Sequence, residues 1–370
     1  MQENSMEQNN KKICVVGMSG GVDSSVSAFI LKQQGYDVVG LHMKSENADT
    51  AKQDEVRVVE LCKKLDITLN VVEYADEMQK VKDYFVDEYL SGRTPNPCVV
   101  CNREVKFKPF IEFAEKLGAD FFATGHYASI EHNENGSVLK IAKDENKDQT
   151  YFLCKLTQNQ LQKALFPLGG LDKAEVKRIA EENGLVSKDT KESYDVCFLG
   201  SEKFKDFMNK NYPEKSGNIV DQVSGNVVGK HNGISKYTIG QRKGLGIGGG
   251  FGKSGDCWFV TKKDIKNNIL YVAQGNDDLL YSNALESNDV NWIPAVPTKK
   301  EFDCFAKFRY RQKPQKVKVK IQDNKKVYVE FYEKQRAVTL GQFVVFYDND
   351  KCLGGGSIDA VFKDGKILDL

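Results

Sequence analysis

Residues 13–35 read ICVVGMSGGVDSSVSAFILKQQG. Ile13 to Met18 is an apolar run of strand length. Ser24 to Gln34 places Val26, Phe29 and Ile30 at helical spacing and stops at Gly35. Between the two lies a glycine loop, Gly17 to Ser25, with the sequence GMSGGVDSS. Backbone N–H groups in such a loop, at the N-terminus of a helix, form a phosphate cradle, and Ser19, Ser24 and Ser25 add hydroxyl donors. No lysine follows the glycines, so the loop is not a Walker A motif, and the glycine spacing fails the dinucleotide pattern GxGxxG.

The strand and helix patterns go on alternating. A second strand is expected over Asp37 to Met43, a helix over Asp54 to Leu65, a strand over Ile67 to Glu73 and a helix over Asp76 to Leu90. A proline-rich loop follows. Next come a helix with Phe107, Phe110, Ile111, Ala114 and Leu117 on one face, a strand over Ala119 to His126, and helices over Gln158 to Leu165, Lys173 to Asn183 and near Glu202 to Asn211. Strands joined by crossover helices imply a Rossmann-like α/β domain whose parallel sheet binds ligands at the carboxyl ends of its strands. From Gly217 onward short strands and glycine turns take over, and Val317, Val319 and Ile321 alternate with Lys316, Lys318 and Lys320, as in a strand with one wet face. The expected domains are 1–212 (catalytic), 213–286 (a small central domain) and 287–370 (a C-terminal β-barrel).

At 370 residues the chain is long enough for two or three domains, at about 150 residues each. With 40% hydrophobic and 28% charged residues, disorder is excluded, and no stretch is apolar enough for a membrane span. The net charge of +1 conceals a partition: Lys299 to Arg336 holds 13 Lys/Arg against 5 Asp/Glu. Such a segment either attracts a polyanion or is a solvated strand face. Nine cysteines form an odd, sparse set with a single Cys-x-x-Cys pair, Cys98 and Cys101, which suits a reducing cytoplasm rather than a disulfide scaffold.

The segment Arg93 to Phe107, RTPNPCVVCNREVKF, places those two thiols just before a helix, where the helix dipole favours thiolate. Cys197 lies in SYDVCFLG, on no obvious amphipathic face. Cys14, Cys62, Cys154, Cys257, Cys304 and Cys352 are expected to be buried small hydrophobes. A structural zinc would need a second ligand pair at zinc spacing, and the sequence has none.

The run Ser19 to Ser24, Ser-Gly-Gly-x-Asp-Ser, resembles the loop of ATP pyrophosphatases, which split ATP between the α and β phosphates and leave AMP on a substrate. Together with TPNPCVVCN, ATGHYA (123–128), KDQTYFL (147–153), SYDVCFLG, YTIGQRKGLGIGG (237–249) and KFRYRQ (307–312), it makes the chain similar to the tRNA-specific 2-thiouridylase family (MnmA/TrmU) over roughly Lys12 to Lys363. That resemblance implies an adenine nucleotide alpha hydrolase-like fold and thiolation at C2 of the wobble uridine of tRNAs for Lys, Glu and Gln. ATP and Mg²⁺ would be consumed, with a persulfide donor such as a cysteine desulfurase or a sulfur-relay protein as partner.

By the same resemblance, Cys197 carries the persulfide and Cys101 is the nucleophile. Gly17, Met18, Ser19, Gly20, Gly21, Val22, Asp23, Ser24, Met43 and Gly125 match ATP contacts, with Asp23 near Mg²⁺. Asn96, Pro97 and Cys98 match positions lining the target base. His126, Lys147, Asp148, Gln149, Arg309, Tyr310 and Gln342 match tRNA contacts, although a histidine at a strand end is also commonly structural. Family members often carry Asp where this chain has Cys98. Cys98, Cys101 and Cys197 are therefore also candidate ligands of a 4Fe–4S cluster, as in some related tRNA thiolases. Two other readings stand beside this one: an AMP-forming ligase acting on a small acid, which would not need Cys101 and Cys197, and a non-catalytic RNA-binding or sulfur-carrier module.

Overall fold

The computed structural model describes residues 11–44, 48–185, 196–200, 202–248, 255–275, 277–323 and 325–370. The chain divides into two units, each assembled from separate stretches: 1–76, 103–150 and 157–194 form the first, and 77–102, 151–156 and 195–370 the second.

The elements begin with β1 (Ile13–Gly17), α1 (Val22–Gln33), β2 (Asp37–Lys44), α2 (Ala48–Leu65), β3 (Thr68–Glu73) and α3 (Ala75–Leu90). After them come α4 (Pro97–Cys101), a π-helix over Asn102–Phe107, α5 (Lys108–Leu117), β4 (Phe121–Ala123) and the hairpin strands β5 (Ser129–Asn133) and β6 (Gly136–Lys140). Then follow α6 (Thr150–Leu153), α7 (Gln158–Gln162), β7 (Ala164–Leu165), α8 (Lys173–Glu182), a 3₁₀ turn over Cys197–Leu199 and α9 (Phe204–Asn211).

The first unit is built on a five-stranded parallel sheet in the order β3-β2-β1-β4-β7. Its register sets Val15 beside Val39 on one side and Phe122 on the other. β1 is apolar throughout because it is central: Cys14, Val15 and Val16 are fully buried. α1 packs Val26, Ala28 and Leu31 against the sheet in a core that also holds Val58, Leu61, Ala123, Val176 and Ala180. α8 starts cleanly because Asp172 and Glu175 form a reciprocal capping box.

Several expectations change, among them the helix expected over Asp54 to Leu65, which begins already at Ala48. The strand expected over Ala119 to His126 keeps only Phe121–Ala123, and the helix expected over Gln158 to Leu165 ends at Gln162. Ala164 and Leu165 instead pair with Phe122 and Ala123 as the edge strand β7, so sheet pairing overrides the local helical pattern. The helix expected around Phe107 also begins earlier than its apolar face suggests: Pro97 occupies its first turn, where a missing N–H does no harm.

In the second unit, β8 (Gly217–Asp221), β9 (Val227–His231), β10 (Trp258–Asp264) and β11 (Ile269–Gln274) form a mixed sheet in the order β10-β11-β8-β9. The remaining strands are β12 (Tyr281–Ser287), β13 (Asn291–Trp292), β14 (Glu301–Lys307), β15 (Gln315–Ile321), β16 (Val327–Arg336), β17 (Phe343–Asp348), β18 (Lys351–Ser357), β19 (Ala360–Lys363) and β20 (Lys366–Ile367). They make an antiparallel array in the order β20-β19-β12-β16-β15-β14-β17-β18, with β13 on β18. As expected, Val317, Val319 and Ile321 of β15 point into its core. On the wet face Lys320 pairs with Glu330 at 2.9 Å and Lys316 lies over the Tyr332 ring. Among the described residues no helix is long and apolar enough to cross a membrane.

Candidate active site

The expected residues fall into two sets, one in each unit. In the first unit the chain leaves the sheet at Gly17, the carboxyl end of β1, and enters α1 at Val22. Gly20 has φ +77°, a conformation that L side chains rarely adopt, and it lets the loop fold back on itself. Ser19 and Ser24 place their hydroxyls 3.1 Å apart, and the Ser19 amide donates to the Ser24 Oγ at 3.3 Å. The Ser24 and Ser25 hydroxyls donate to the Gly21 carbonyl. Gly21 is the N-cap and supplies no side-chain cap, so the helix terminus is lined by backbone N–H groups and serine hydroxyls, which suits a phosphate.

Met43, partly exposed, lies at the end of β2 beside β1. Gly125 follows β4, and a Cβ there would lie 2.8 Å from the Asp23 carbonyl carbon and 2.9 Å from the Ser24 nitrogen. Only glycine allows the chain to pass so close to the start of α1.

Asp23 is held by two donors to one oxygen: the Tyr127 hydroxyl at 2.9 Å and the Lys173 ammonium at 2.6 Å. Neither partner was legible as functional in the sequence. The capping box marks where α8 begins, but nothing local ties Lys173 to a loop 150 residues away.

The KDQ segment braces the GHYA segment. The Gln149 amide donates to the Tyr127 carbonyl while the Tyr127 amide donates to Gln149 Oε1. Buried Asp148 accepts from the Ala142 amide at 3.1 Å and from the Thr150 hydroxyl at 2.7 Å. His126 is buried between the Phe107 and Phe166 rings with its Nδ1 2.8 Å from the Thr124 hydroxyl. Burial, and then the Lys106 charge, push its pKa well below the usual histidine range, so the ring is neutral at pH 7. Lys147 is partly exposed.

The second unit holds the thiols. Cys98 is exposed in the first turn of α4, and Cys101, at its end, is buried. Asn102 is buried behind Cys101 and donates to the Phe152 carbonyl at 3.0 Å, while its Oδ1 accepts no hydrogen bond. Cys197 is exposed at the head of the 3₁₀ turn. The next residue, Phe198, packs edge-on against Phe85 of α3 at 5.2 Å, and Phe204 of α9 joins Phe85 and Tyr89. The Cys197 turn is thus anchored on the helix that leads into the RTPNPC loop.

That loop is clamped. Arg93 Nε meets Glu88 at 2.8 Å and its Nη2 meets Asp359 at 2.9 Å and Ser357 at 3.1 Å. Gln342 Nε2 donates to the Thr94 and Pro95 carbonyls at 2.9 and 3.2 Å, just before Asn96 and Pro97. Arg309 is exposed, and Tyr310 is partly exposed with its ring 4.3 Å from that of Phe152.

The remaining cysteines divide. Burial raises Cys14, Cys154 and Cys304 to about 12 and Cys62 to about 11, so these thiols stay protonated and inert. Cys352 is also buried. Cys257 corrects the expectation of burial: it is exposed, in the irregular stretch just before β10. Among the described residues no group of three or more His, Cys, Asp or Glu side chains is gathered to hold a metal ion.

Residues 11–201 match the sequence profile described as a tRNA methyl transferase HUP domain. Residues 205–274 match a tRNA methyl transferase PRC-barrel domain, and residues 282–358 an aminomethyltransferase beta-barrel domain. The chain is thus a Rossmann-like parallel-sheet domain followed by a central domain and a C-terminal barrel. It is 50% identical over 373 residues to the tRNA-specific 2-thiouridylase MnmA of Oceanobacillus iheyensis, covering 98% of this chain and 99% of the relative. The MnmA of Enterococcus faecalis gives the same figures, and that of Bacillus anthracis is 48% identical over 96% of each chain. Among solved structures, the chain resembles the U34-tRNA thiolase NcsA from Methanococcus maripaludis with its 4Fe-4S cluster: 21% identity, 55% of this chain, 67% of that one, TM-score 0.36. It also resembles a 4-thiouridine synthetase in complex with RNA and ATP: 18% identity, 47% and 41% covered, TM-score 0.34. At TM-scores this low, these two likenesses carry no functional weight.

Proposed function

Because the chain belongs to the tRNA-specific 2-thiouridylase family MnmA, we propose that it thiolates C2 of the wobble uridine of tRNA at the expense of ATP. The observation that carries this is the pairing, in one chain, of an uncapped, serine-lined helix N-terminus with an exposed cysteine, Cys197, and a buried one, Cys101. The first suits a nucleotide's phosphates. The second pair suits a sulfur that is loaded from outside and discharged inside.

Gly17 to Ser24, Met43 and Gly125 bind ATP, and Asp23 orients the Mg²⁺ that accompanies its phosphates. The uridine C2 oxygen attacks the α-phosphorus, the bond to the β-phosphate breaks, and pyrophosphate leaves with the electron pair. C2 then carries AMP, a far better leaving group than oxide. A persulfide on Cys197 attacks C2 and AMP departs. The Cys101 thiolate attacks the Cys197 sulfur, forming a Cys101–Cys197 disulfide and leaving sulfur on the base; an external dithiol restores both cysteines.

Exposure of Cys197 supports loading by a protein persulfide donor such as a cysteine desulfurase or relay protein. Asn96, Pro97 and Cys98 line the base. Arg309 neutralises a phosphate and Tyr310 stacks on an unpaired base, while Lys147 adds a cation. His126, Asp148, Gln149 and Gln342 serve tRNA by shaping the backbone around them, since their side chains are engaged within the protein. The substrates are tRNAs for Lys, Glu and Gln, and the site of action is the cytoplasm, where ATP, tRNA and thiol reductants coexist. A 4Fe–4S cluster on Cys98, Cys101 and Cys197 is the second reading of the sulfur chemistry, and thiolate-to-iron absorbance together with iron in anaerobically purified protein would mark it.

The test uses ATP labelled at the α-phosphate. Label is expected in AMP, formed only when unthiolated tRNA is present; formation of ADP, or of AMP without tRNA, contradicts the proposal.

A further inference from the structure

The phosphate loop carries no lysine of its own: Gly17 to Ser25 contains one charged residue, and that is an acid, Asp23. A carboxylate in the first turn of a helix meant to hold a polyphosphate repels its ligand unless a cation balances it. Among the described residues, Lys173 is the cation paired with Asp23. Its Nζ lies 2.6 Å from Asp23 Oδ1 and over the face of the Tyr127 ring at 5.6 Å, and the Tyr127 hydroxyl donates to the same carboxylate oxygen. The Lys173 side chain is only 12% exposed, so water screens this charge far less than it does a surface lysine.

Its placement is built. Lys173 is the first residue of α8, whose start is fixed by the Asp172–Glu175 capping box, and its backbone N–H donates to Asp144 Oδ2 at 3.1 Å. Lys143 pairs in turn with Glu175 at 2.9 Å. The Tyr127 that backs the ammonium is itself held on both sides by Gln149. A long side chain with this much support is held at the loop by more than its own ion pair.

We infer that Lys173 is a nucleotide-site residue of the adenylation step, the cation that a Walker A loop carries within its own sequence and that this loop takes from the start of α8. When the uridine oxygen attacks the α-phosphorus, the electron pair of the breaking bond passes to pyrophosphate. The ammonium meets that added negative charge on the leaving group. The inference rests on the nucleotide half of the proposed function and on no part of the sulfur chemistry.

Binding of pyrophosphate in the presence of EDTA, measured by calorimetry on the full chain without tRNA, isolates this contact from magnesium and from thiolation. Lys173→Met is expected to weaken binding roughly ten- to a hundredfold, the scale of one charge-assisted contact, and Lys173→Arg to retain most of it. The double variant Asp23→Asn, Lys173→Met separates contact from mere charge balance. It is expected to stay weak, and a return to the unaltered protein's affinity would overturn the inference, since the lysine would then act only by neutralising Asp23.

On the unaltered chain, pyrophosphate is expected to slow labelling of Lys173 by an amine-reactive reagent several-fold, read by peptide mass spectrometry. This readout does not depend on any variant folding. Unchanged labelling, or unaltered affinity in Lys173→Met, overturns the inference alone. Failure of the unaltered chain to bind either pyrophosphate or MgATP overturns the nucleotide reading along with it.

Discussion

His126 shows how one side chain can be conspicuous in sequence and quiet in chemistry. It sits in the GHYA segment among residues matched to RNA contact, yet it lies between two phenylalanine rings with its Nδ1 on the Thr124 hydroxyl. Burial lowers its pKa, so the folded protein resists a proton that the unfolded chain accepts near pH 6.5. The stability this gives is complete above that pH and is lost as pH falls below it, by about 1.4 kcal/mol per unit until the folded-state pKa is reached. Urea unfolding at pH 7 and pH 5 is expected to show a smaller loss for His126→Gln than for the unaltered protein. An equal loss in the two would mean that His126 is protonated in the fold. Asp23 was legible as a loop residue because its neighbours spell the loop. Lys173 was not, since an ion pair spanning 150 residues leaves no local trace.

Among elements, those with strong local periodicity were legible: β1, β2, β3, α1, α3 and α8 lie within a residue or two of where apolar spacing puts them. Those set by partners were not. β7 is two residues long and exists because β4 offers it an edge. α4 reads as a loop because two prolines flank Asn96, although Pro97 is suited to a helix's first turn. The β5–β6 hairpin is the exception: its turn at residues 133–136 contains Asn135-Gly136, a local turn signal that the surrounding strand and helix alternation obscures.

The clamp on the RTPNPC loop belongs to this scale, because it joins the end of α3 and the strand ends near Gln342 and Asp359 to the segment before Cys98 and Cys101. Burial alone would lower the Arg93 pKa, but hydrogen bonds and charge from Glu88 and Asp359 outweigh it and raise it. Arg93→Met leaves two partly buried carboxylates without their cation. It is expected to destabilise the protein by on the order of 2 kcal/mol, less than a fully buried pair because water reaches both acids. Thiolation kcat is expected to fall while KM for ATP holds. A rise in KM for ATP with unchanged kcat would show that the clamp serves the nucleotide and not the thiols.

At the scale of the whole molecule, the candidate residues are divided by unit: the glycine loop with its Asp23–Lys173 pair in the first, the thiols and the clamped loop in the second. Charge is divided too, since the excess of cations between Lys299 and Arg336 falls on β14, β15, β16 and the loops beside them, Arg309 lying in the loop after β14. Composition exposed that partition but could not name the polyanion. The Lys316, Lys318 and Lys320 face, partly balanced by Glu330 and Tyr332, shows why charge counts alone do not mark a site. The proposed thiolation requires one tRNA to be activated and then sulfurated.

Nucleoside mass spectrometry of unthiolated tRNA incubated with ATP, Mg²⁺, a persulfide source and the protein tests that most directly. The account predicts 2-thiouridine at the wobble position, none with Cys197→Ala, and with Cys101→Ala tRNA held to Cys197 through a disulfide that releases 2-thiouridine only when an external thiol cleaves it. Full thiolation by Cys197→Ala, or no thiolated uridine from the unaltered chain that binds both ATP and tRNA, would contradict it.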